Sequence, residues 1–72
     1  MPKLYNVFAL DLWHEFPLDS IGSMLVVANN PEEAEHKAME EFKVTFEQYQ
    51  IKAAAYEVSL VDGYKIQLVK EG

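Results

Sequence analysis

The sequence predicts an α+β fold: a β-β-α-β-β chain whose four-stranded, mainly antiparallel sheet carries one long helix packed on one face. Three observations predict it. Residues 30 to about 49 hold one sustained helical pattern, the residues before it form two apolar runs, and those after it alternate with period two around Asp62-Gly63. The whole chain of 72 residues is expected to form a single domain.

The first strand is expected over residues 3–14. Its even positions Leu4, Phe8, Leu10 and Leu12 form one apolar face, and its odd positions Tyr5, Val7, Ala9 and Trp13 form another. A strand apolar on both faces is usually covered on both, which places it at the centre of the sheet. A connection over residues 16–23 follows, in which Pro17 and Gly22 break regular structure while Leu18 and Ile21 are apolar cargo. Residues 24–28, Met-Leu-Val-Val-Ala, form a short second strand returning antiparallel to the first.

The helix begins with a recognisable start signal. Asn30 suits the N-cap, Pro31 the first helical position, and Glu33 completes an Asn-x-x-Glu capping pattern. Ala34, Ala38, Phe42, Thr45, Phe46 and Tyr49 then recur at helical spacing as one stripe, small at one end and aromatic at the other. Ala53-Ala54-Ala55 tolerates helix, so the pattern gives no sharp end. For the final hairpin, a three-residue loop of Val61-Asp62-Gly63 pairs Leu60 with Tyr64 and Val58 with Ile66, which keeps the apolar residues on one face. A two-residue Asp-Gly loop pairs Leu60 with Lys65 instead and splits the two apolar sets. The expected strand order is 2-1-3-4.

Composition narrows the function classes. Twelve acidic residues face six lysines with no arginine, a formal net charge of -6. Arginine is the preferred fork for phosphates and base edges, so no nucleic-acid partner is expected, and a basic protein surface is the easier partner to approach. No apolar run approaches the ~20 residues of a membrane span, and no signal-like leader is visible, so a cytoplasmic location without membrane contact is expected. With no cysteine, neither disulfides nor a thiolate metal site can hold so small a core, and domains of this size often gain stability by forming homo-oligomers.

Chemistry-bearing clusters are few. Asp11, His14 and Glu15 alternate in facing along one strand and do not converge. Glu32, His36 and Glu40 stand at i,i+4 spacing on the helix but read as a solvated face. There is no phosphate-binding glycine loop, nucleophile elbow or zinc spacing. The sequence therefore predicts no enzyme, no catalytic or metal-binding residues and no cofactor.

The prediction that matters most concerns the sheet face away from the helix. It is expected to carry Tyr5, Val7, Ala9 and Trp13 from the first strand, with either Leu25 and Val27 or Met24 and Val26 from the second. One helix cannot cover both faces, so this patch is expected to form a homodimer interface centred on Val7 and Trp13. The rival is a lid of residues 16–23, with Leu18 and Ile21 folding over it. Function is expected to be that of a small acidic protein-binding module, a regulator, inhibitor or accessory factor. The alternative is a small-molecule binder or minimal enzyme with a site between subunits, lined by Tyr5, Trp13, His14 and Tyr56. Finally, Leu-Val-Val-Ala-Asn-Asn-Pro-Glu-Glu-Ala, residues 25–34, resembles the strand-to-helix stretch of HicB-type antitoxins, which implies a basic toxin as partner.

Overall fold

A computed structural model describes residues 2–12 and 20–70. Strand β1 (Lys3–Asp11) pairs antiparallel with β2 (Ser20–Ala28), helix α1 (Pro31–Thr45) crosses one face, and β3 (Ile51–Glu57) returns on the other side of β1. A small hairpin of β4 (Leu60–Val61) and β5 (Tyr64–Lys65) follows. The class is α+β with one helix on a sheet, but the sheet has three strands in the order β2-β1-β3 rather than four. The hairpin forms its own two-stranded ribbon, standing clear of sheet and helix. Both outer strands run antiparallel to β1, so β2 and β3 are mutually parallel and α1 is the crossover that parallel strands require.

The helix start follows from its sequence. Asn30 is extended, with φ -155, and its side chain accepts a 2.7 Å hydrogen bond from the Glu33 backbone N–H. Pro31 opens the first turn. A cap of this type stabilises a helix by about 1 kcal/mol. The C-terminus comes four residues earlier than expected. Val44 and Thr45 are β-branched and lose side-chain freedom in a helix, and at Phe46 the chain turns, its N–H still donating to the Phe42 carbonyl at 2.7 Å.

The core lies between α1 and one sheet face. Ala34, Ala38 and Phe42 project from the helix onto Tyr5, Val7 and Ala9 of β1, Val26 and Ala28 of β2, and Ala53 of β3. The small residues let the helix backbone approach the sheet closely, while Phe42 and Phe46 fill the wider end, their rings 5.9 Å apart. This explains why β3 accepts alanines that favour helix in isolation: the methyl groups of Ala53 and Ala55 suit a surface shared with Ala34 and Ala38, and tertiary fit overrides propensity.

Three further expectations are corrected. The odd face of β1 points at the helix and not away from it, with Val7 0% and Tyr5 2% exposed. The second strand starts at Ser20, four residues early, because pairing continues past Gly22 through an irregularity opposite Ala9 and Leu10 that leaves Ile21 unmatched. The hairpin has the two-residue loop, pairing Leu60 with Lys65 and Val61 with Tyr64. Asp62 and Gly63 both have positive φ, 53 and 82, the pattern of a type I′ turn whose twist matches the flanking strands. Burial cannot select the face-sorting register here, because both strands of the ribbon are exposed on both sides; turn geometry decides.

Candidate functional site: the open face of the sheet

Register and alternation assign the uncovered face. Leu4, Asn6, Phe8 and Leu10 of β1 lie beside Ser23, Leu25 and Val27 of β2 and Lys52, Ala54 and Tyr56 of β3. Leu25 is 62%, Tyr56 61% and Val27 44% exposed, while Leu4, Phe8 and Leu10 are half-buried. Phe8 and Tyr56 meet edge to face with ring centroids 5.8 Å apart, which fixes an aromatic pair in the middle of the surface. Among the described residues the face holds no carboxylate, and its one charge is Lys52 at the periphery. Around Asn6 it is a largely apolar surface with Leu25, Val27 and Tyr56 exposed, a feature that marks interaction sites.

The helix face is the electrostatic opposite. Glu33 accepts from Lys37, 3.2 Å away, and from the Asn29 side-chain amide at 3.3 Å. The Lys37 ammonium holds the Glu33 carboxyl below its ordinary value, partial desolvation opposes this, and Asn29 adds to the lowering. Two helix residues also reach past the sheet margins. Lys37 donates to the Val27 carbonyl on the outer side of β2 at 2.9 Å, and the Ala55 N–H on the outer side of β3 donates to Glu35 at 3.3 Å. Each exposed strand edge is therefore occupied at one point by a charged side chain, a device that discourages pairing with another chain.

Three of the five predicted interface residues, Tyr5, Val7 and Ile21, lie among the described residues. Tyr5 and Val7 are sealed in the core. Ile21 is half-buried and packs against that core, at the strand irregularity. Trp13 and Leu18 lie outside the described residues, as does His14 of the predicted inter-subunit cleft. The remaining two residues of that cleft, Tyr5 and Tyr56, are on opposite faces. The residues that the sequence reading did not assign to the open face are Leu4, Phe8, Leu10 and Tyr56; the signal for them was the small-residue set Ala9, Ala53 and Ala55, which matches the small end of the helix stripe.

Asp11 is 3% exposed, and His14 and Glu15, the other members of the polar cluster, lie outside the described residues. Among the described residues no set of three His, Asp or Glu side chains is placed to hold a metal ion, and no helix is long and apolar enough to cross a membrane. A groove of about 640 Å³ runs between the ends of β1 and β3 and the C-terminal segment, floored by Leu4, Val58, Ile66 and Leu68. No family model matches the chain, and neither a curated protein nor a solved structure matches it.

Proposed function

We propose that this chain is a small acidic cytoplasmic protein-interaction module, a regulator, inhibitor or accessory factor that works by binding protein through the open face of its sheet. One observation carries the reading: Leu25, Val27 and Tyr56 stand exposed on a face without a carboxylate among the described residues, while the charged residues of α1 lie on the opposite side of the sheet. A surface so depleted of charge is suited to shape-matched apolar contact. The acidic helix is available for a basic surface by long-range attraction.

The test uses the absence of cysteine. Leu25→Cys and Val44→Cys each accept a photo-crosslinker, one on the open face and one on the exposed side of α1. In an extract of the native host, adducts formed from position 25 and not from position 44 support the proposed surface. Equal labelling from both positions, or none from position 25, rejects it.

A further inference from the structure

We infer that the hairpin turn is a built-in covalent modification site: Asp62 and Gly63 close spontaneously to a cyclic imide, which water reopens to isoaspartate at position 62. The chemistry needs a carboxyl beside a backbone nitrogen that is unhindered, free of hydrogen bonds and able to move. Among the described residues, the chain meets all of these conditions at this turn.

In the closing step the Gly63 nitrogen attacks Cγ of the protonated Asp62 carboxyl. The N–Cγ bond forms, the Cγ–OH bond breaks, and the proton of the nitrogen leaves with the hydroxyl as water. Hydrolysis then returns water to either carbonyl of the ring. Attack at Cγ restores aspartate. Attack at the main-chain carbonyl leaves Gly63 joined through Cβ and Cγ, with the former main-chain carbonyl as the free carboxyl. Water is the one co-reactant, and the product has the mass and charge of the parent chain.

Sequence supplies the first condition. Asp62 is the only Asp or Asn in the chain that a glycine follows, and glycine places no Cβ beside the attacking nitrogen. Structure supplies the others. Both residues are exposed, and a Cβ built on Gly63 would meet nothing within 4 Å. Among the described residues the Gly63 N–H donates to no acceptor. Asp62 has φ 53, a left-handed conformation whose strain is relieved when the turn opens. Opening is also cheap. The ribbon is held by the Leu60–Lys65 and Val61–Tyr64 pairs and by the Ile66 N–H donating to the Ser59 carbonyl at 3.1 Å, and it packs on neither sheet nor helix. A two-stranded ribbon without a packed face is marginal in water, so it opens without unfolding the core.

Other positions each fail a condition. Asp11 is 3% exposed, and the nitrogen placed to attack it, that of Leu12, donates to the Gln50 carbonyl at 2.9 Å. Asn6 precedes Val7, which is β-branched, 0% exposed and paired on both sides. Asn30 precedes Pro31, which has no N–H. The Asn29 amide is engaged by Glu33. At Asp62 the product matters structurally, because isoaspartate adds one methylene to the main chain at the tip of a two-residue turn. That undoes the Leu60–Lys65 register, and with it the wall those two residues give to the groove beside Leu4 and Val58. The sheet and α1 make no contact with the ribbon and stay folded. The hairpin therefore has a shorter chemical lifetime than the fold that carries it.

Ageing the purified chain for weeks at neutral pH tests this. An endoproteinase that cuts before aspartate but not before isoaspartate reads Asp11, Asp19 and Asp62 separately. The expected result is a missed cut before position 62 at unchanged intact mass, accumulating within ~10-fold of the rate in a synthetic peptide of residues 58–67. Slower accumulation than that means the turn protects the site and overturns the inference, as does isoaspartate appearing first at Asp11 or Asp19. Asp62→Asn keeps a residue suited to the turn and reaches the same imide by losing ammonia in place of water. It is expected to gain the mass difference between an amide NH2 and a hydroxyl faster than the wild type isomerises; an unchanged mass overturns the imide route. In amide spectra of the aged chain, shifts confined to residues 58–68 support separate ageing of the hairpin, and shifts extending into α1 overturn it.

Discussion

Gly22 and Phe46 hold the end of the helix to the start of β2 by close contact of an aromatic ring with backbone. A Cβ built on Gly22 lies 2.6 Å from the Phe46 ring tip, so the ring rests directly on bare backbone. Gly22→Ala therefore displaces Phe46 and is expected to destabilise the fold by about 1–3 kcal/mol. Urea denaturation measures this, and Gly22→Ala combined with Phe46→Leu is expected to recover part of the loss. Glu33 supplies the pH dependence at this scale. Its folded-state pKa lies below the ordinary value of 4.5, so its contribution is fully present above that value and is lost as pH falls through the lower one. A carboxyl titration by NMR should place its midpoint below 4.5, and Lys37→Met should move it upward. Asn30 and its cap were legible because a cap is a local motif. Gly22 was read as a breaker, because the ring that requires it is 24 positions away.

Two elements behave differently from what their sequences suggest in isolation, and each carries a prediction. The hairpin is an independent ribbon, so Gly63→Val strains a positive-φ position that nothing else depends on. Its effect should be confined to the amide resonances of residues 59–66, with the melting temperature of dilute, monomeric chain moving less than about 2 °C. The edges of β2 and β3 depend on α1. Replacing Glu35 and Lys37 together with alanine should uncover both and accelerate β-rich aggregation on concentration, read by light scattering and thioflavin fluorescence. Both predictions bear on what the sequence could show. β1 was placed at the sheet centre because both its faces are apolar, and that same property hid which face meets the helix. Periodicity establishes that a strand has two faces; only the volume match between Ala9, Ala53 and the helix alanines orients them. The hairpin misled in the converse way: sorting its apolar residues onto one face presumes a core on that side, and the described sheet and helix supply none.

The molecule as a whole is two layers deep, with a shortest principal extent of 17 Å, and its sheet layer exposes Leu25, Val27 and Tyr56 on the side away from the helix. Its net charge of -6 repels like copies at a distance, yet the open face is almost free of charge. Raising salt from about 50 to about 500 mM is therefore expected to leave self-association unchanged or to strengthen it, because screening relieves the distant repulsion. Binding of a basic protein along the helices should weaken over the same range, and sedimentation at both ionic strengths separates the two. The guarded margins of the sheet have a further consequence. A three-stranded sheet with open edges can add strands without limit, and its tendency to do so rises with abundance. Here lateral growth is opposed on both sides by side chains of the same helix, Lys37 at the β2 edge and Glu35 at the β3 edge. Fibre seeding at high concentration is therefore expected to depend on those two side chains rather than on the length of the exposed edges.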